Sequence, residues 1–139
     1  MQITTFITNH WELFATFGVI VGLLVVTANA ARLKGVQSVT PEAATSLINH
    51  DDAVIVDVRE DKEFKEGHIV NSVHIPMGNI GDHLQDLGKY KDKPIVIACR
   101  SGNRSGTVCN TLKKEGFNNV YNLAGGLLAW KNENYPVTK

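Results

Sequence analysis

Cysteine is scarce in this 139-residue chain: there are two, Cys99 and Cys109, and no C-x-x-C pair. That scarcity excludes a disulfide framework and a thiolate-rich tetrahedral metal site. Net charge is missing as well, since fourteen Lys and Arg stand against fourteen Asp and Glu. A nucleic-acid binder resting on bulk positive charge is thereby excluded. There is no internal repeat and no low-complexity tract, and the length suits one ordinary domain rather than two. Charge also avoids one end of the chain. Residues 1–31 hold a single charged side chain, Glu12, and every Lys and Arg comes later.

What fills that end is a membrane-like segment. Leu13 to Ala31 is a run of nineteen uncharged residues whose clearly polar members are Thr16, Thr27 and Asn29. At helical rise it covers roughly 28 Å, close to the hydrocarbon thickness of a bilayer. Trp11 precedes it as an interfacial anchor, and Arg32 and Lys34 follow it. By the positive-inside rule the N-terminus lies outside and the bulk of the chain in the cytoplasm. The expectation is one single-pass anchor in the inner (plasma) membrane, with residues 1–34 as tail, helix and basic flank. The competing expectation is a signal peptide cleaved near Ala30, at the A-x-A site Ala28-Asn29-Ala30, which would leave a periplasmic protein. Against cleavage, the stretch before the apolar run has an acid and no base.

Residues 35–139 read as one α/β domain. Thr40-Pro41-Glu42 opens a helix, with Thr as N-cap, Pro at the first turn and an acid beside it. The apolar runs 53–58 and 93–98 are long and β-branched, which suits strands buried on both faces of a parallel sheet. Shorter strands are predicted at 73–75 and 119–123. Helices are predicted at 61–66, 80–87 and 105–115, the last closed by Gly116. The alternation gives a small parallel sheet with helices on both faces.

The chemistry is expected where the second long strand ends. That strand runs into Cys99-Arg100-Ser101-Gly102-Asn103-Arg104-Ser105, and ligands of open α/β sheets gather at carboxyl ends of strands. Gly102 permits a tight loop around the Cys99 sulfur, whose backbone N–H groups converge into an anion-binding nest. A helix beginning near Ser105 aims its positive end there, and Arg100 and Arg104 add charge. A thiol so placed is held as thiolate and acts as a nucleophile. Cys109 has the opposite setting, in the apolar stripe Val108, Cys109, Leu112, and is expected to be inert and buried.

These residues resemble the rhodanese family of sulfurtransferases. Val56-Asp57-Val58-Arg59 is similar to the family's D-(V/I)-R strand end. Gly67-His68-Ile69, then Ser72 and His74-Ile75-Pro76, are similar to its G-H-I…A/S…I-P signature. Gly125-Gly126 with Trp130 resembles its closing G-G-x-x-x-W. The match spans roughly residues 36–135, and with the apolar segment the chain looks like a single-domain, membrane-anchored bacterial rhodanese.

The resemblance implies ping-pong sulfur transfer. Cys99 would take a sulfane sulfur from a small anionic donor such as thiosulfate. The resulting persulfide would pass it to a thiol, to cyanide or to a carrier protein, with no metal and no organic cofactor. Arg100, Ser101, Gly102, Asn103, Arg104 and Ser105 would form the substrate-binding loop, and Asp57 and Arg59 would support it. Gly67, Pro76, Gly125 and Gly126 would serve turns, and His68 and His74 would be structural.

Two other readings are carried forward. A phosphatase or arsenate reductase on the same fold needs five residues between Cys and its clamping Arg, whereas Cys99 and Arg104 enclose four. A membrane-tethered interaction module, recruiting a membrane-protein partner, has no need of the nucleophile that this chain retains.

Overall fold

The structure is a computed structural model that describes residues 2–33 and 35–139, the side chains of residues 29–33 excepted. The expected basic flank, Arg32 and Lys34, and the Asn29-Ala30 end of the A-x-A site therefore lie outside the described side chains. The chain divides into two compact units, residues 1–35 and 36–139.

The first unit holds helix α1 (Gln2–Asn9) and helix α2 (Trp11–Leu33). Two threonines of α2 hide their polarity. Thr16 Oγ1 lies within 3.0 Å of the Glu12 and Leu13 carbonyls, and Thr27 Oγ1 within 3.0 Å of those of Leu23 and Leu24. Such back-bonding satisfies a hydroxyl without help from solvent. The large apolar side chains of α2 nonetheless stand open, Phe17 at 68% exposure. Trp11–Ala28 is thus a helix long and apolar enough to cross a bilayer, a test that the core of a signal sequence also passes.

The second unit is built on a five-stranded parallel sheet in the order β1-β6-β5-β2-β4. Its strands are β1 (Gln37–Val39), β2 (Val54–Asp57), β4 (Val73–His74), β5 (Ile95–Ala98) and β6 (Val120–Leu123). A separate antiparallel pair joins β3 (His68–Ile69) to β7 (Val137–Thr138).

Period-two alternation along β5 builds a core on each face of the sheet. Ile95, Ile97 and Cys99 enter one layer with Val108, Cys109 and Leu112 of α6 (Asn103–Lys114). Val96 and Ala98 enter the other layer, with Ala44 of α3 (Pro41–Asp51) and Leu127 and Trp130 of α7 (Gly126–Asn132). Helices therefore cover both faces, as the strand–helix alternation predicts. Cys99 belongs to the same face as Ile95 and Ile97, so the sheet itself aims its sulfur toward the start of α6.

Local signals set most of the boundaries. Thr40 caps α3 by accepting the Ala43 N–H at 3.1 Å, with Pro41 at the first turn. The short helix α4 spans Asp61–Lys65. The helix expected over 80–87 is instead a 3-10 turn at Met77–His83 followed by α5 (Leu84–Gly88). Gly78 and Gly81 in that stretch disfavour a continuous α-helix. Helix α6 begins at Asn103, two residues before the expected start, because Gly102 takes up the left-handed N-cap position at φ 104°. Strands β1, β3 and β7 and helix α7 carry too few alternating apolar residues to announce themselves.

Candidate active site

The loop after β5 folds around one sulfur atom. Sγ of Cys99 accepts the Gly102 N–H at 3.0 Å and lies 3.2 Å from Ser105 Oγ. Cys99 and Ser105 are both buried, at 1% and 0% exposure. Burial, the largest single influence, pushes the thiol up. The Ser105 hydroxyl and the Ser105, Gly102 and Ser101 amides together outweigh it, so the thiol lies below its ordinary range. The leading causes of that depression are hydrogen-bond donors rather than the two arginines.

The opposite wall explains the paired glycines. The N-terminus of α7 lies against the loop: the Leu127 N–H donates to the Cys99 carbonyl at 2.8 Å and the Leu128 N–H to the Arg100 carbonyl at 3.1 Å. A Cβ on Gly126 would stand 2.5 Å from the Arg100 carbonyl oxygen, and its φ of 57° is left-handed. Only glycine allows that close approach. Two segments far apart in sequence thus lock one loop around one thiol.

Residues 40–133 match the family described as Rhodanese-like domain. This chain belongs to the rhodanese family.

A protein of Escherichia coli K12, YibN, whose function is uncharacterised, is 35% identical over 140 residues, covering 99% of this chain and 97% of that one. The putative sulfurtransferase YtwF of Bacillus subtilis 168 is 41% identical over 102 residues, covering 73% and 96%. A crystal structure of a rhodanese-related protein from Thermoplasma volcanium superposes with a TM-score of 0.66 at 30% identity, covering 73% and 97%. The first likeness extends through the N-terminal helices, while the other two span about three quarters of the chain. Family and relatives together support a sulfurtransferase function in general.

Within this rhodanese, the remaining residues singled out from the sequence take distinct places. Arg104 forms a two-pronged pair with Glu63 of α4, at 2.7 and 2.9 Å. That pairing holds the Glu63 carboxyl below its usual range and raises the Arg104 guanidinium. Most of the charge that Arg104 brings to the loop is therefore answered locally. Arg100 and Ser101 are exposed, and their side chains have no hydrogen-bond partner among the described residues. Asn103 is exposed at the first turn of α6.

Asp57 and Arg59 form a buried pair. Arg59 donates from Nε to both Asp57 oxygens at 3.0 Å, and from its terminal nitrogen to Asp57 at 2.8 Å and to the Gly67 carbonyl at 2.7 Å. The hydrogen bonds of this pair tie β2 to the α4–β3 turn and do not reach residues 99–105. Its contribution is a wall. Arg59, Glu63, Glu66, Arg100, Lys131 and the Leu127–Leu128 pair line a cleft of about 210 Å³ beside the loop.

The two histidines flank Phe64 in a three-ring stack, with centroids 3.7 Å (His68) and 4.2 Å (His74) from it. Each presents a ring nitrogen to a backbone carbonyl, of Phe64 and of Arg59. Since a carbonyl only accepts, those nitrogens carry the protons.

Three participants are illegible in the sequence motifs: Glu63, Lys131 and Asn122. Asn122 left one signal, an amide in the middle of the apolar strand Val120–Leu123, where a polar group calls for a partner. It finds two. Its Oδ1 accepts from Ser105 Oγ at 2.5 Å, and its Nδ2 donates to the Gly102 carbonyl at 3.0 Å.

Proposed function

We propose that this rhodanese moves a sulfane sulfur from a small anionic donor such as thiosulfate to a thiophilic acceptor, through a persulfide on Cys99. The observation that carries the reading is the donor set around Sγ, which favours the ionised sulfur in a site closed to water. In the first half-reaction the Cys99 thiolate attacks the outer sulfur of thiosulfate, forming an S–S bond and expelling sulfite. In the second, cyanide or a thiolate attacks the outer sulfur of the persulfide, and the Cys99 thiolate departs. Gly102 N–H and the Ser105 hydroxyl stabilise Sγ as attacking and as leaving anion. Arg100 and Lys131, at the cleft mouth without carboxylate partners among the described residues, attract anionic donors. Ser101 and Asn103, exposed on the same loop, would contact the donor. The bidentate Glu63 pair occupies the guanidinium that a phosphatase would keep free, which speaks against phosphoryl chemistry, as does the C-x4-R spacing.

Residues 35–139 would be the catalytic domain and residues 1–34 its anchor, lying in the bilayer through residues 13–31. The domain would face the cytoplasm. What supports the anchor is the open apolar surface of α2, with its bases confined to the C-terminal side. In the cytoplasm the thiol stays reduced between turnovers.

Thiocyanate formation by the detergent-solubilised full-length chain tests the reading. Parallel double-reciprocal lines for thiosulfate and cyanide, lost in Cys99→Ser, are expected. Phosphoester hydrolysis that depends on Cys99, with no thiocyanate formed, would overturn it.

A further inference from the structure

We propose that Asn122 sets how readily Cys99 ionises, by competing with its sulfur for the single proton of the Ser105 hydroxyl. The amide's orientation is fixed by its neighbours. Asn122 Nδ2 lies 3.0 Å from the Gly102 carbonyl, which can only accept, so that end is the NH2 group. The other end is then Oδ1, an acceptor, 2.5 Å from Ser105 Oγ. The hydroxyl must donate there, and it has one proton.

With that proton on Asn122, Ser105 can only accept from Cys99, 3.2 Å away. The resting chain runs from S–H to Oγ–H to Oδ1. A thiolate has nothing to give and needs the hydroxyl proton for itself. On ionisation the thiol proton leaves to solvent, the O–H bond turns from Oδ1 to S⁻, and Asn122 loses its donor. The Gly102 N–H, 3.0 Å from Sγ, serves both states. The orphaned Oδ1 opposes ionisation, because a partly buried acceptor that loses its donor is left with a poorer exchange.

A consequence rests on the persulfide reading. Once an outer sulfur is attached, the negative charge moves to it and the hydroxyl returns to Asn122. When an acceptor draws that sulfur away, charge reappears on Sγ and the hydroxyl turns back. Ser105 would therefore assist the leaving thiolate more than the waiting persulfide, which is the differential stabilisation that accelerates a step.

The charged and titratable groups that interact with Cys99 are Arg104, itself paired with Glu63 of α4, and Cys109 on α6, while Arg100 and the Arg59 of the Asp57 pair line the neighbouring cleft. A Ser105→Ala background keeps all of them, so a double variant isolates the effect of Asn122. The test is the rate of iodoacetamide alkylation at Cys99 in the detergent-solubilised full-length chain, at a pH where the thiol is mostly protonated and rate follows thiolate fraction. Ser105→Ala slows it about tenfold, by removing a donor to the anion. Asn122→Leu, which keeps the volume, speeds it about threefold, and does nothing in the Ser105→Ala background.

In the unaltered 13C-labelled chain, the Asn122 side-chain carbonyl resonance moves with the Cys99 titration, and in Ser105→Ala it does not. Slower alkylation in Asn122→Leu, an equal effect in both backgrounds, or a carbonyl indifferent to Cys99 overturns the proposal. The carbonyl measurement in the unaltered chain holds even where a variant misfolds, since a resonance that ignores the Cys99 titration overturns the proposal by itself. Neither readout needs sulfur transfer, so a coupled Asn122 in a protein that forms no thiocyanate would sink the sulfurtransferase reading alone.

Discussion

Cys99 and Cys109 sit in the same apolar layer, exposed by 1% and 0%, yet their thiols are driven in opposite directions. At Cys109 burial dominates, the Lys113 ammonium offsets little of it, and the thiol is pushed up to about 12. At Cys99 burial pushes the same way, but three amides and a hydroxyl reverse it. Removal from water does not make a nucleophile. Removal from water together with a ring of fixed donors favours the anion, because the donors replace the hydration that it gave up.

Exchanging the two thiols is the harshest way to break this comparison. Cys99→Ser is expected to cut thiocyanate formation by more than about a thousandfold, by removing the nucleophile. Cys109→Ala leaves the turnover number within about twofold and costs about 1–2 kcal/mol of stability in urea unfolding, as a small core truncation.

Disturbing the backbone that holds the donors comes next. Gly126→Ala drives a Cβ against the Arg100 carbonyl at a left-handed φ. It is expected to destabilise by about 2–4 kcal/mol, read by thermal unfolding, and to lower activity further than that loss explains.

The pH dependence of stability sharpens the contrast. Cys99 has a depressed folded value, so between that value and the ordinary thiol value of about 9 the unfolded state holds a proton that the folded state has lost. Stability from Cys99 rises with pH across that window, is complete above about 9, and is lost as pH falls through the folded value. Cys109 does the reverse: between about 9 and about 12 the folded state keeps a proton that the unfolded state gives up. Stability then falls by about 1.4 kcal/mol per pH unit. Denaturation midpoints measured at rising alkaline pH should decline less steeply in Cys109→Ala than in the wild type.

The smallest effect is expected at the rim. Glu63→Gln breaks a half-exposed pair and is expected to cost under about 1 kcal/mol. Glu63 has a depressed folded value, so its contribution is present above the usual carboxylate range and fades as acid protonates it. Freeing Arg104 should lower the KM for thiosulfate several-fold at low salt and leave it unchanged at high salt.

The sequence carries the parts of this contrast that depend on local pattern. The β-branched runs gave β2 and β5, the stripe Val108, Cys109, Leu112 gave a buried thiol, and Cys99 at a strand end gave the thiol around which the loop folds. It does not carry what depends on the meeting of distant segments. Nothing near Arg104 announces Glu63, and nothing near Cys99 announces Asn122 or the α7 amides. The sequence announces both an amide nest around Gly102 and the Arg100 and Arg104 charges, without ranking them. The donors that depress Cys99 are the Ser105 hydroxyl first and then three backbone amides, and which amides reach the sulfur is set by the path of the loop. The paired glycines were legible as turn residues, but their role in admitting a second backbone to the Cys99 carbonyl needed three dimensions.

Intact-mass spectrometry of the full-length chain after incubation with thiosulfate tests the central claim most directly. The account predicts a gain of one sulfur atom per chain, removed by cyanide, absent in Cys99→Ser and retained in Cys109→Ala. A folded wild-type protein that gains no sulfur, or one whose added sulfur survives the loss of Cys99, would contradict it.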